Sequence, residues 1–281
     1  MFKKIVIADN CAEYANLIFS NSSQYSGSAL LLGALFFTFQ IYGDFSGYSD
    51  IAIGTSRLFG LRLRRNFAFP YFSRDIAEFW RRWHISLSTW FRDYLYIPLG
   101  GSRGGTASKV RNIFVIFVVS GFWHGANWRF IIWGALNALY FLPLMITGKN
   151  RRHMGIVAHG RRLPSVKEAF SMLLTFGLTV IAWIVFRADN VAHAISYLSG
   201  IFSRSLFSIP HFEGNRRSIM TIILVIVFVI IEWSGREQEY AIATIGQKRP
   251  RTVRWLYYSF LIFVIGMYAP THETPFIYFQ F

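Results

Sequence analysis

The chain has 281 residues, of which 53% are hydrophobic and only 15% are charged, and its 29 Lys and Arg outnumber 14 Asp and Glu to give a formal net charge of +15. A soluble globular domain carries about 25% charged residues, so this composition excludes a disordered chain and disfavours a soluble enzyme. Basic residues between long apolar runs indicate a membrane protein with basic cytoplasmic loops, whereas a nucleic-acid binder would carry its positive charge on polar surfaces.

The N-terminal segment contains the single cysteine, Cys11. One cysteine excludes an intramolecular disulfide and a cysteine-based zinc site, and we expect it to be a small buried apolar side chain. The apolar run after Lys3 and Lys4 ends at Asp9, too soon for a secretory signal.

Long runs without charge predict the membrane elements. A helix crosses a bilayer core with about 20 apolar residues. The runs lack the alternation of a barrel strand, so we expect helices. We predict an all-α polytopic bundle of five or six membrane elements forming a single membrane domain, 1–281. The run at 112–148 is long enough for two spans that turn near Asn127; the others lie at 26–43, 169–186, 218–231 and 255–269.

The charge is concentrated in three segments, 57–111, 149–167 and 234–254. The first holds eleven Lys and Arg against three acids, and the second holds six basic residues and no acid. The positive-inside bias places all three in the cytoplasm, and the intervening spans then alternate, with the C-terminus outside.

The segment 72–99 mixes charge with closely spaced aromatic residues. Phe79, Trp83, Ser86, Trp90 and Tyr94 fall on one helical face, and an adjoining face collects Trp80, His84, Leu87 and Phe91. This pattern predicts one amphipathic helix that lies at the interface or lines a wet cavity. Pro98 and the glycine run at 100–105 end it.

Two histidines are candidates for chemistry. His124 lies inside the longest apolar region, where an ionisable group normally faces a protein interior or a water cavity. A neutral imidazole there accepts a proton from a hydroxyl and returns it to a leaving group, or it makes an interhelical hydrogen bond. His84, among three tryptophans, is a second acid or base, an orienting group, or an interfacial side chain. No HExxH motif or carboxylate at ligand spacing accompanies either histidine, so we predict no metal site.

Other polar residues indicate weaker hypotheses. Asp44 and Asp50 follow an apolar run and are expected to cap a helix or to pair with Arg57, Arg62 or Arg81. The glycine run at 100–105 offers amides to a phosphate but lacks the Walker spacing, so a flexible loop is favoured. There is no GxSxG elbow for a hydrolase serine.

Six sequence blocks carry distinctive motifs: FKKIVIADN at 2–10, FQIYGDFSGYSDIAIG at 39–54, NFAFPYFSRDIAEFWRRWHISLSTWFRDYLYIPLGG at 66–101, SGFWHGANWRFIIWG at 120–134, WIVFRAD at 183–189 and PFIYFQF at 275–281. The most specific blocks contain WRRWHISLSTWFRDYLYIPLGG and GFWHG. Together the blocks resemble one family, the membrane-bound O-acyltransferases, and within it the bacterial branch typified by the alginate O-acetyltransferase membrane subunit more than the teichoic acid D-alanine transferases.

The resemblance implies an enzyme of the bacterial inner membrane with His124 as its catalytic histidine and His84 as its second characteristic histidine. It implies acetyl transfer from a cytoplasmic thioester, acetyl-CoA or an acyl carrier, with no bound cofactor. The acceptor is a hydroxyl of an exported polysaccharide, as in alginate biosynthesis, or of a periplasmic relay protein; no nucleic acid is involved.

Family members are longer, so the chain is expected to be the C-terminal part of a full enzyme without its N-terminal helices. A fragment that only binds partner subunits remains an alternative. A transporter with a proton relay through His124 is a second alternative, but a transporter would show repeated halves, and the sequence shows none.

Overall fold

The computed structural model describes residues 1–244 and 249–269. Within these residues the chain is all-helical and contains no strand, which confirms the predicted fold class. The sequence block at 275–281 lies outside the described residues. The α-helices are α1 Asp9–Ser20, α2 Gly27–Leu58, α3 Ile76–Arg82, α4 Ile85–Phe91, α5 Thr106–Trp123, α6 Trp128–Ile146, α7 Val166–Arg187, α8 Val191–Ile201, α9 Asn215–Ser234 and α10 Arg251–Met267.

Four of the described helices, α2, α6, α7 and α9, are long and apolar enough to cross a membrane. The apolar run at 218–231 is short for a membrane span, but its helix extends from Asn215 to Ser234 and has 20 residues. The other two predicted elements are helices as well, but α5 has 18 residues and α10 has 17, and both carry basic residues. The predicted turn near Asn127 is confirmed, since the Asn127 side chain accepts from the Arg129 amide at the start of α6.

The described residues form two compact units, one made of 1–63 with the described residues from 199 onward, and the other of 64–198. In the first unit a π-helical turn, Lys3–Ala8, packs against the middle of α2. A Cβ at Gly43 would lie 2.8 Å from the Lys3 carbonyl oxygen, so a glycine permits this close approach. Cys11 is fully buried in this unit, as predicted.

The acids of α2 have other partners than the sequence suggested. Asp44 and Asp50 lie inside α2, which continues to Leu58 because the polar side chains turn toward partners within the unit. Lys4 reaches Asp44 at 2.9 Å, and Lys3 reaches Asp50 at 3.0 Å. The salt-bridge role is confirmed, but the expected arginine partners were wrong, because the lysines of the π-helical turn lie against α2.

The second unit is built on the antiparallel pair α5 and α6. Gly121 and Gly134 lie where the two backbones cross: a Cβ on Gly121 would overlap the carbonyl of Phe130, and one on Gly134 would overlap the carbonyl of Phe117. Small residues at a crossing let membrane helices approach closely. This crossing fixes the position of the turn that follows α5.

The prediction of one amphipathic helix over 72–99 was wrong. The helix breaks between α3 and α4, and a π-helical turn at Arg92–Tyr96 follows. The chain at 66–68 causes the break: the Ala68 amide donates to the Arg82 carbonyl, and the Ile85 amide donates to the Asn66 carbonyl. These bonds replace the helical ones, so α3 and α4 do not share one continuous face. Trp83 is buried, whereas Trp90 is half exposed.

Candidate active site

His124 ends α5 inside a group of aromatic rings. Its ring centroid lies 4.9 Å from Trp123, 5.1 Å from Phe186, 5.3 Å from Trp133 and 6.4 Å from Phe130. We call these four side chains the aromatic box. The box surrounds the His124 ring with apolar side chains.

Helices α6 and α7 supply most of the aromatic box. Phe130 of α6 and Phe186 of α7 have ring centroids 5.0 Å apart. The Arg129 guanidinium donates to the carbonyls of Arg187 and Ala188, which joins the start of α6 to the end of α7. Arg129 therefore holds together the two helix ends that enclose His124, a role that its sequence position did not indicate.

His84 has a left-handed backbone, with φ of 43° and ψ of 56°. A non-glycine residue rarely adopts this conformation unless its surroundings impose it. Asn66 imposes it here: its carbonyl accepts from the Ile85 amide at 3.0 Å, and its Oδ1 accepts from the Ser86 amide at 3.1 Å and from the Ser86 hydroxyl at 2.6 Å. Asn66 thus orients the backbone of the second candidate histidine.

The structure brings His84 and His124 to one site, although 40 residues separate them in the sequence. Both contact Trp123: its ring centroid is 6.3 Å from His84 and 4.9 Å from His124. This shared contact places the two imidazoles at the same end of α5. The catalytic roles of the two residues stay predictions.

A cleft of about 530 Å³ opens in the same unit. One side of α5 lines it from Lys109 to Ser120, with apolar walls that include Phe117 of α5 and Phe141 of α6. Trp80, Leu87 and Phe91, assigned to one face in the sequence, line it as well. Four cations contribute to the lining: Arg81, Arg92, Lys109 and Arg151.

The cleft ends near His124 but does not include it. At 1.5 Å per residue, the stretch from Lys109 to Ser120 is about 16 Å long. Ser120 lies one helical turn before His124, and neither His84 nor His124 lines the cleft. The connection from the cleft to His124 is a series of ring contacts: Trp80 lines the cleft and contacts Trp133 at 5.8 Å between centroids, and Trp133 contacts His124 at 5.3 Å.

Three tryptophans near this connection were not identified as site residues in the sequence. The indole Nε1 atoms of Trp80, Trp133 and Trp183 are buried, and none has a hydrogen-bond partner within the described part of the chain. The sequence blocks contain all three, but only the tertiary structure shows that their N–H groups lack acceptors.

Comparison with known proteins gives a family match. The family of membrane-bound O-acyltransferases matches residues 13–186. The chain is 42% identical over 239 residues to "Probable alginate O-acetylase AlgI" of Pseudomonas aeruginosa, covering 85% of this chain and 44% of that protein. To the protein of the same name from Pseudomonas putida it is 38% identical, over 99% of this chain and 59% of that protein.

A third relative is the "Peptidoglycan O-acetyltransferase" of Helicobacter pylori, which is 39% identical over 75% of this chain and 38% of that protein. The chain therefore spans about half the length of the relatives it matches.

Proposed function

The chain belongs to the membrane-bound O-acyltransferase family, and on this premise we propose that it carries the transfer site of a membrane O-acyltransferase. The reaction moves an acyl group, acetyl in our proposal, from a cytoplasmic thioester to a hydroxyl of an exported polysaccharide or of a partner protein. One observation carries the proposal: His84 and His124 both contact the indole of Trp123. His124 lies one helical turn beyond Ser120, the last residue of α5 that lines the basic cleft.

The cleft suits the thioester donor. Lys109 and Arg151 line it and form no ion pair with an acid among the described residues, so their charge is available to attract the phosphates of coenzyme A or of a carrier arm. Its apolar walls along α5 and α6 suit the uncharged part of such an arm. The positive-inside bias puts the start of α5 and the end of α6 on the cytoplasmic side, so the donor enters there.

His124 moves the proton. The acceptor hydroxyl oxygen forms a bond to the thioester carbonyl carbon while the imidazole takes the hydroxyl proton. The carbonyl π electrons move to the oxygen and then return, which breaks the carbon–sulfur bond. The thiolate leaves and takes the proton from His124, so the products are an ester and a free thiol. His84 orients the thioester or assists thiolate departure.

The relatives support acetyl as the group and a polysaccharide as the final acceptor. Their names describe an alginate O-acetylase and a peptidoglycan O-acetyltransferase, and at 42% identity the alginate type is favoured. We propose that the protein works in a bacterial inner membrane with periplasmic acceptor or acyl-relay proteins. The donor is a substrate, and the proposal requires no bound cofactor.

Replacing the proposed base tests the function. In the complete protein, His124→Ala should lower O-acetylation of the polymer by about 10²–10⁴-fold, since that is the usual contribution of a general base. Polymer acetyl content measured by NMR gives the result, and an immunoblot of isolated membranes shows whether the variant is still inserted. His159→Ala is the matched control, because His159 is exposed in a loop of the same unit. Normal acetylation in the His124→Ala variant would refute the proposal.

A further inference from the structure

The aromatic cluster between the cleft and His124 contains unused hydrogen-bond donors. Trp80 of α3, Trp133 of α6 and Trp183 of α7 each bury an indole N–H that has no acceptor within the described residues. Trp133 is 1% exposed and Trp183 is 3% exposed. Buried polar groups are nearly always hydrogen-bonded, and an exception calls for an explanation.

The surroundings of these indoles do not supply an acceptor. Trp80 packs against Phe79, Phe117 and Trp133, and Trp133 stacks on Trp183 with ring centroids 5.9 Å apart. Rings such as these offer no carbonyl or carboxylate oxygen, and an indole N–H only donates. The cluster is therefore complementary to a ligand that brings its own acceptor oxygens.

The position of the donors relative to the cleft and His124 identifies such a ligand. Trp80 lines the cleft, Trp133 contacts Trp80, and the Trp133 ring lies perpendicular to His124 at 5.3 Å between centroids. A chain that extends from the cleft to His124 meets Trp80 first and Trp133 at the reacting end. Trp183 stacks on the face of the Trp133 ring.

We propose that Trp133 and Trp80 bind carbonyl oxygens of the thioester donor, an inference that rests on the proposed acyl transfer. The Trp133 N–H donates to the thioester carbonyl oxygen, and the Trp80 N–H donates to a carbonyl oxygen of the donor arm nearer the cleft. Trp133 is then a catalytic residue, and Trp80 is a binding residue.

The chemical step explains why an N–H is needed beside His124. When the acceptor oxygen bonds to the carbonyl carbon, the carbonyl electron pair moves onto the oxygen and gives it negative charge. A preorganised donor stabilises this charge more than it stabilises the neutral carbonyl. When the carbon–sulfur bond breaks, the electron pair re-forms the carbonyl, and the thiolate takes the proton held by His124.

Isosteric replacement tests the contribution of the indole N–H separately from the packing of the ring. Benzothienylalanine, introduced site by site into the complete protein, keeps the bicyclic shape of tryptophan and lacks the N–H. At position 133 it should lower kcat by about 10²–10³-fold, the usual loss for one oxyanion donor. At position 80 it should raise KM for the donor by about tenfold and leave kcat within threefold.

One tryptophan packed against the same cluster serves as the control. Trp83 contacts Trp183 at 4.9 Å between centroids, and its indole N–H is not among the buried unpaired atoms, so its replacement should change kcat and KM less than threefold. A loss at position 83 equal to that at 133 would show a packing effect and overturn the proposal, as would full kcat at position 133.

A spectroscopic readout tests the proposal independently of turnover. Acetonyl-dethia-coenzyme A and acetonyl-dethia-pantetheine keep the carbonyl oxygen but replace the thioester sulfur with carbon. Binding of at least one probe should shift an indole N–H band in the ultraviolet resonance Raman spectrum, and the shift should vanish in the position-133 isostere. No shift with either probe overturns the inference, even in an active enzyme. A shift in a protein that transfers no acetyl group supports the inference and refutes the proposed function.

Discussion

At the scale of single residues, the site depends on conformations that neighbours enforce. His84 is held in the left-handed region by hydrogen bonds that the amides of the next two residues, Ile85 and Ser86, donate to Asn66. His124 is surrounded by four rings, three of which come from helices whose ends Arg129 joins. Catalysis at such a site is sensitive to small displacements of these side chains, because a displacement of about 1 Å can lower a rate 10²-fold.

Asn66 offers a test of this positioning. Asn66→Ala removes the side-chain acceptor for the amide and hydroxyl of Ser86, so His84 should lose its orientation and kcat should fall about 10–10²-fold. Asn66→Asp keeps an acceptor oxygen and should restore most of kcat. Steady-state kinetics of the purified complete protein measure the effect, with a thermal melt of each variant. A change confined to KM, or no rescue by Asp, would contradict a positioning role.

At the scale of elements, the crossing of α5 and α6 determines where His124 lies. Gly121 and Gly134 let each helix contact a backbone carbonyl of the other. The crossing lies within one to four residues of Trp133, His124 and Phe130, so a change in helix separation moves the aromatic box directly. The break between α3 and α4 has a similar role, since it sets His84 between two short helices instead of inside a long one.

Replacing one glycine at the crossing should therefore disturb both stability and function. Gly134→Ala places a methyl group against the Phe117 carbonyl, and we expect a loss of about 1–3 kcal/mol from overpacking, together with reduced transfer. Thermal unfolding in detergent measures the stability. Gly177→Ala is the matched control, because a Cβ at Gly177 in α7 meets nothing within 4 Å. That variant should be more stable by about 0.5–1 kcal/mol; equal stability of the two variants would contradict the role of the crossing.

At the scale of the whole molecule, charge and hydropathy alternate along the chain. The basic segment 57–111 lies between the apolar helices α2 and α6, the segment 149–167 lies between α6 and α7, and the segment 234–254 follows α9. The positive-inside bias predicts that all three segments face the cytoplasm and that the segment between α8 and α9 faces outward. The proposed donor route depends on this orientation, since the cations of the cleft must be reached from the cytoplasm.

Cysteine labelling tests the orientation. Cys11 is the only cysteine and is buried, so a Cys11→Ser background adds little disturbance. In spheroplasts, a membrane-impermeant maleimide should label Glu213→Cys, in the exposed loop before α9. It should label His159→Cys only after permeabilisation. The opposite pattern would place the basic loops outside and refute a cytoplasmic donor.

The sequence alone determined the membrane class, the all-α fold, the positions of the apolar helices and the turn at Asn127, because these follow from local composition and hydropathy. Its motif blocks also indicated the family, as the comparison later showed, and singled out His84 and His124. Only the tertiary structure decided the break at His84, the lysine partners of Asp44 and Asp50, and the unpaired indoles beside His124. These features depend on contacts between segments far apart in the chain, such as 66–68 with 82–86, and local periodicity carries no information about them.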